Sequence, residues 1–285
     1  EVEIQNPEGT ADPSALIGKP LTLSLRLRDG SEEHRFAGIV TEAARTTSHG
    51  DEPSTLRIVA RPRLYRLTQR ADCRTFQSMT APDIVRQVLE NAGLSADAQK
   101  WQLESEYLER VFTTQYRETD FDFVRRLLSE EGIAFAIDAS GEADVVVFFD
   151  GDRGPIEGDK TLPYLLGDGL NAPRSAVGSL SHEHGIAPGK VALRDYDFER
   201  PRFELNEKAE AGSDLEKTLE VYDYPGRFTE AEVGGRYAQG LLDSLRARRE
   251  IVSGVASTLR LSPGQRFRIE GHPYEPMNRE YLLLS

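Results

Sequence analysis

Few residues in this sequence stand at spacings that chemistry requires. His182-Glu183-His184 sets two imidazoles two residues apart, and on a strand both would project to one side, as a chelating pair must. No third His or Cys lies close by in sequence. The stretch from Gly178 to Gly189 reads as a loop, so exposed loop histidines are expected here and not a metal site. Cys73 is the one cysteine. It cannot close an internal disulfide, fits a reducing compartment, and reads as a small buried apolar residue rather than a nucleophile. Carboxylates pair at Glu130-Glu131, Asp150/Asp152 and Asp195/Asp197. A glycosidase needs two acids facing across a cleft in unlike environments, and in a chain with 48 acidic residues these read as solvated pairs. There is no Gly-x-Ser-x-Gly elbow and no glycine loop leading into Lys-Ser/Thr, and Gly226 to Gly235 lacks the order of a dinucleotide turn. Trp101, Tyr107, Tyr116, Phe121 and Phe123 could form a stacking platform, but core packing explains them more simply. No catalytic, cofactor-binding or metal-ligating residue is assigned, and no cofactor is expected.

Charge narrows the partners. The net charge is -13, which disfavours a nucleic-acid surface, because phosphate binding needs clustered cations. One basic run stands out: Arg57, Arg61, Arg63, Arg66, Arg70 and Arg74. An acidic stretch follows, with nine acids between Ser129 and Lys160 against Arg153 and Lys160. Both read as solvated faces; the competing reading is complementary patches that meet between subunits. The apolar stretches, such as Val145 to Phe149, are too short to span a bilayer, so stable membrane insertion is not expected.

The elements that would carry these residues are mixed. Leu21, Leu23, Leu25 and Leu27 alternate with polar residues, the period-two mark of a half-buried strand. Asp29-Gly30 offers a hairpin turn, and Arg35 to Thr41 returns as a second strand. After a polar loop from Ser48 to Ser54, Leu56, Ile58 and Ala60 resume the alternation. The pattern then turns helical. Thr80 and Asp83 stand at a capping-box-like spacing before Ile84, Val85, Val88 and Leu89, and Gly93 can close the helix. Thr119 and Asp122 repeat this before Phe123, Val124, Leu127 and Leu128, with Glu131-Gly132 as the end. Ile133 to Ile137 and Val145 to Phe149 read as a hairpin. Asp150 to Gly169 reads as a linker. Strands are expected at Val191 to Leu193 and near Tyr196 and Phe198. A third helix is expected from Thr229 to Glu250, although Gly234-Gly235 weakens it. Strands at Leu259 and Leu261, at Phe267 and Ile269, and at Tyr281 to Leu284 close the chain, broken by Ser262-Pro263-Gly264 and Gly271-His272-Pro273. The class is α+β and β-rich, and 285 residues suffice for more than one domain.

Three long segments carry a resemblance: Arg110-Val-Phe-Thr-Thr-Gln-Tyr-Arg-Glu-Thr-Asp-Phe-Asp-Phe-Val-Arg-Arg-Leu-Leu-Ser-Glu-Glu-Gly132, Tyr222-Asp-Tyr-Pro-Gly-Arg-Phe228, and Gly271-His-Pro-Tyr-Glu-Pro-Met-Asn-Arg-Glu-Tyr281. With Asp195-Tyr-Asp-Phe-Glu-Arg-Pro201 between them, they stand in the order found in the spike proteins of type VI secretion, the VgrG (valine-glycine repeat G) family, and the chain resembles the base region of such proteins. That base is similar to phage tail hub proteins.

The resemblance implies two antiparallel β-barrel-like tube domains with an inserted peripheral α+β unit. The first barrel would span residues 1–72, the α+β unit 73–160, and the second barrel 161–285 with a helical insertion near 229–250. It implies a homotrimer seated on a hexameric tube protein, with further spike sequence beyond Ser285, a strand before Glu1, and effector or adaptor proteins as partners. Two similar barrels per chain would let three chains match a sixfold ring. The work implied is mechanical: no enzyme activity, assembly in the bacterial cytoplasm, then secretion or translocation. A phage or prophage tail hub is the alternative within this class. A cell-wall hydrolase, suggested by the acids and aromatics, and an effector-holding adaptor are the alternatives outside it.

Overall fold

The computed structural model describes residues 1–5, 12–26, 33–46, 54–151, 156, 161–165, 175–259 and 261–284. The chain opens with β1 (Val2–Gln5), the short α1 (Pro13–Leu16), β2 (Pro20–Arg26), β3 (Glu33–Thr46) and β4 (Thr55–Arg61). These strands form one antiparallel sheet in the order β1-β4-β3-β2. The leucine alternation holds in part: Leu21 and Leu23 are half-buried between exposed Thr22 and Ser24, but Leu25 is exposed as well. Val40, Leu56 and Ile58 form a small core against Leu16, Leu21 and Ala43. β3 runs longer than the expected Arg35 to Thr41, with a bulge between Val40 and Glu42 that bends it along β4. Leu27, the Asp29-Gly30 turn and positions 48–53 of the polar loop lie outside the described residues.

The middle of the chain holds β5 (Ala71–Met79), α2 (Ala81–Asn91), β6 (Gln99–Gln102), β7 (Arg110–Thr119), α3 (Asp120–Glu131), β8 (Ala134–Asp138) and β9 (Val145–Phe149). Ile84, Val85, Val88 and Leu89 are fully buried on α2, and each such side chain contributes about 1.5–3 kcal/mol. They meet Phe123, Val124, Leu127 and Leu128 of α3 in the largest core, which also takes in Leu64, Leu67, Val146 and Phe148. Both helices end in left-handed glycines, Gly93 at φ 79° and Gly132 at φ 72°. Their N-caps are only half of a capping box. Thr80 and Thr119 accept from the backbone N–H of Asp83 and Asp122, but each Asp accepts from the threonine hydroxyl instead of reaching back to the cap N–H. Asp is one methylene shorter than the Glu that completes the motif. β8 and β9 form the expected antiparallel pair, and β6 adds to β9 in parallel.

The last part comprises β10 (Thr161–Pro163), β11 (Ala176–His184), β12 (Lys190–Asp195), β13 (Leu205–Glu210), α4 (Asp214–Lys217), β14 (Glu220–Asp223), α5 (Ala231–Arg246), β15 (Glu250–Ser257), β16 (Arg266–Glu270) and β17 (Glu280–Leu282). Several expectations are corrected here. The Gly178 to Gly189 stretch is in large part strand β11, because β15 pairs with it along its length. The presumed linker from Asp150 contains β10, which pairs in parallel with β16. Tyr196 and Phe198 follow β12 in a bend and belong to no strand, and Phe198 is exposed. Leu259 and Leu261 lie beyond the end of β15. The third helix stops at Arg246, and Glu250 begins a strand instead.

α5 packs on the β13-β12-β14 sheet through Ala238 and Leu242, against Val191, Leu193, Leu205 and Phe228. Gly234, which weakens the helix on propensity alone, is required by this packing: a Cβ there would lie 2.4 Å from the Phe228 ring. The architecture is a β-rich α+β fold. Among the described residues no sheet closes on itself, and no helix is long and apolar enough to cross a membrane.

Candidate functional site: a charged junction between two cores

Much of the arginine run is paired within the chain, although Arg57 and Arg70 remain nearly half exposed. Arg63 donates from its backbone N–H (2.8 Å) and Nε (3.1 Å) to the buried carboxylate of Asp144. Arg70 and Arg74 both donate to buried Asp120, at 3.0 and 2.6 Å. Gln115, fully buried, donates to the same carboxylate at 2.9 Å. Arg57 pairs with Glu1, and Arg61 with Glu42. Two of these acids, Asp144 and Asp120, are buried, and a buried carboxylate needs such partners.

Among the described residues, part of the acidic stretch is likewise paired within the chain, although Glu142 stays exposed. Glu130-Glu131, expected as a solvated pair, closes α3 with Glu131 buried. Arg110 of β7 donates to Glu131 Oε1 at 2.7 Å and to Glu130 Oε2 at 2.6 Å. From α5, Arg236 donates to Glu131 Oε2 at 2.9 Å and the Tyr237 hydroxyl to Oε1 at 2.9 Å. Arg227 reaches Glu130 Oε1 at 2.7 Å. Burial, and then the charge of Glu131, push the Tyr237 hydroxyl up to about 12. Arg110 is held above its ordinary range: burial opposes this, but the hydrogen bonds and charges of Glu131 and Glu130 outweigh it. The junction borders an open cleft of about 930 Å³, lined among others by Phe112, Thr113, Arg227 and Gly240. Its lining holds no histidine or cysteine, and both Glu130 oxygens already accept from guanidinium groups. The arrangement fastens α3, β7 and α5 together.

Two of the segments that carry the resemblance meet at this junction. The Asp195 Oδ2 carboxylate oxygen, at the end of β12, accepts from the backbone N–H groups of Arg227 and Phe228. The Gly226 N–H donates to the Arg194 carbonyl at 2.9 Å. The 222–228 segment thus folds into a tight turn, with Phe228 in the core and Tyr222 and Tyr224 exposed. The 271–281 segment forms a second self-bonded turn. The His272 N–H donates to Asn278 Oδ1, the Asn278 amide returns to the His272 carbonyl, and the Tyr281 hydroxyl donates to the Met277 carbonyl.

The other residues singled out from the sequence are dispersed. Cys73 is exposed, not buried, on the two-stranded β5–β7 sheet opposite Tyr116. Phe123 is buried, and Trp101 stacks on Phe148 at 4.1 Å beneath Arg86. Phe121 and Tyr107 pack at the edge of that core, whereas Tyr116 faces outward. Asp150 accepts from the Tyr107 hydroxyl and the backbone of Glu104 and Ser105, and Asp197 pairs with Arg200; Asp152 lies outside the described residues. His182 and His184 project from one face of β11, and Glu250 of β15 joins them there. Arg236, Tyr237 and Glu250 escaped the sequence reading, since nothing local marks a partner that arrives from a distant element. Ser213 and Glu216, which form a complete capping box at α4, could have been found from their Ser-x-x-Glu spacing.

A family model described as phage tail baseplate hub (GPD) matches residues 1–285, and the chain belongs to that family. Type VI secretion system spike protein VgrG1b of Pseudomonas aeruginosa is 34% identical over 290 residues, covering 100% of this chain and 38% of that protein. Spike protein VgrG1a of the same organism is 33% identical over 276 residues, covering 95% of this chain and 42% of that protein. The chain therefore spans about two-fifths of the length of these relatives. A solved Escherichia coli component of the type VI secretion system, itself described as similar to T4 bacteriophage tail proteins, shares the fold. It has a TM-score of 0.63 at 24% identity, over 95% of this chain and 60% of that one.

Proposed function

We propose that this chain is the base of a trimeric cell-puncturing spike in a contractile injection system of the type VI secretion kind. One observation carries the reading: end-to-end similarity to spike proteins at about one-third identity. In this reading residues 1–72 and 161–285 are the two barrel-like tube domains, with a helical insertion near 229–250, and residues 73–160 are the peripheral α+β unit. Three copies seat on a hexameric tube protein and carry a C-terminal spike with effectors or adaptors. Assembly takes place in the bacterial cytoplasm, followed by translocation. The open sheets of the single chain suit lateral contact with further copies. The charged junction supports a force-bearing role, because it fixes two apolar cores to each other. Light scattering on the whole protein that contains this chain tests the proposal. A trimer is expected; a monomer at every concentration would overturn it.

The description of the matching family favours a second reading, the hub of a phage or prophage tail. Co-purification decides between them: tube and sheath proteins of a secretion apparatus favour the first, and phage tail proteins the second.

A further inference from the structure

The sequence predicts a loop with no third ligand around the histidine pair; the structure places the pair on a strand with a carboxylate beside it. His182 and His184 sit two residues apart on β11, and Glu250 stands directly opposite His184 on β15. Same-face and cross-strand neighbours of an antiparallel pair lie within side-chain reach. One nitrogen from each imidazole and one Glu250 oxygen all lie within 4.8 Å of one another. His182 Nε2 is already 2.9 Å from Glu250 Oε1, and the two rings are 5.5 Å apart. Both histidines are exposed, so a hydrated ion can reach them. The strands are paired from Ala176–Ser257 through to His184–Glu250, which holds the three backbone positions in place.

The geometry points to a surface site for a divalent transition-metal ion, with Zn²⁺ as the natural occupant, held by His182, His184 and Glu250. Two imidazoles and one carboxylate leave a fourth tetrahedral position for water. Mg²⁺ and Ca²⁺, which take all-oxygen shells, do not suit this donor set. Bond lengths of about 2.0–2.2 Å place tetrahedral ligand atoms roughly 3.3 Å apart, so side-chain rotation alone closes the remaining gap. Glu250 Oε1 also accepts from the Arg279 guanidinium. The guanidinium is a second cation on the same carboxylate and opposes the ion's binding there. Arg279 also lies over the Tyr281 ring, at 5.3 Å.

Calorimetric titration of the tag-free chain with ZnCl₂ at neutral pH tests the site. One equivalent should bind, and Co²⁺ should give the absorption of a four-coordinate ion. His182→Ala, His184→Ala and Glu250→Gln should each weaken binding tenfold or more, whereas Arg279→Ala should tighten it about threefold or more. In the unaltered chain, NMR should show the imidazole signals of His182 and His184 shifting with Zn²⁺ while those of His34 and His272 stay in place, a readout independent of whether any variant folds. No saturable binding, or undiminished binding by the double histidine variant, would overturn the site. An unchanged affinity in Glu250→Gln would show that the ion does not take the Glu250 carboxylate and would overturn the three-ligand arrangement.

Discussion

Glu131 at the end of α3 and Arg236 on α5 form an ion pair at 2.9 Å that joins two hydrophobic cores. The carboxylate is almost wholly buried, and Arg110 and Tyr237 complete its shell. Removing it leaves Arg236 without its carboxylate partner, while Arg110 keeps Glu130. Breaking a buried pair in this way costs about 3–5 kcal/mol. Glu131→Ala should therefore lower the denaturation midpoint sharply, and chemical denaturation followed by fluorescence should lose coincidence with circular dichroism as the two cores unfold separately.

Asp195 holds the 224–228 turn through two backbone N–H groups. Asp195→Ala strands those donors, at a cost of about 1–3 kcal/mol. Thermal melting should register the loss, and hydrogen exchange should show faster exchange at Arg227 and Phe228 with little change on α2.

Gly234 gives the Phe228 ring its place against α5. Gly234→Ala should destabilise by about 1–3 kcal/mol through overpacking, despite the better helix propensity of Ala. Pairing it with Phe228→Leu should cost less than the sum of the two single changes, because the smaller side chain relieves the clash. Strict additivity in the double variant would show that the contact is not the cause.

Glu216 is held down to about 2, first by the Ser213 backbone N–H and then by Arg249 and Arg246, against the opposing effect of burial. Its ordinary value is 4.5. The folded value lies below the unfolded one, so its contribution to stability is complete above about 4.5 and fades as the pH falls toward 2. Melting temperature measured across that window should fall less steeply in Glu216→Gln than in the parent chain.

Local signals were legible and distant ones were not. α2 and α3 could be read because a Thr cap, an apolar stripe and a closing Gly lie within about fifteen residues of each other, and the leucine alternation of β2 is equally local. β11 resembled a loop because its polar end is stabilised by β15, some seventy residues away, and no periodicity reports such pairing. Cys73 was misplaced because β5 belongs to a two-stranded sheet with an uncovered face. Glu131 looked solvated because adjacent acids usually are, and its burial depends on Arg236 arriving from α5. Gly234 looked like a helix weakness because propensity takes no account of the ring that needs the space.

The inward use of Arg63, Arg70, Arg74 and Arg110 shapes how this molecule meets others. The chain carries a net charge of -13, and Arg63, Arg74 and Arg110 are mostly buried against its own acids. In the proposed trimer that like charge would oppose the approach of further copies. Exposed uncharged side chains, such as Val111 and Phe112 on β7 or Tyr222 and Tyr224 on the 222–228 turn, are where contact would cost least. In that reading, repulsion elsewhere would disfavour wrong encounters before contact forms.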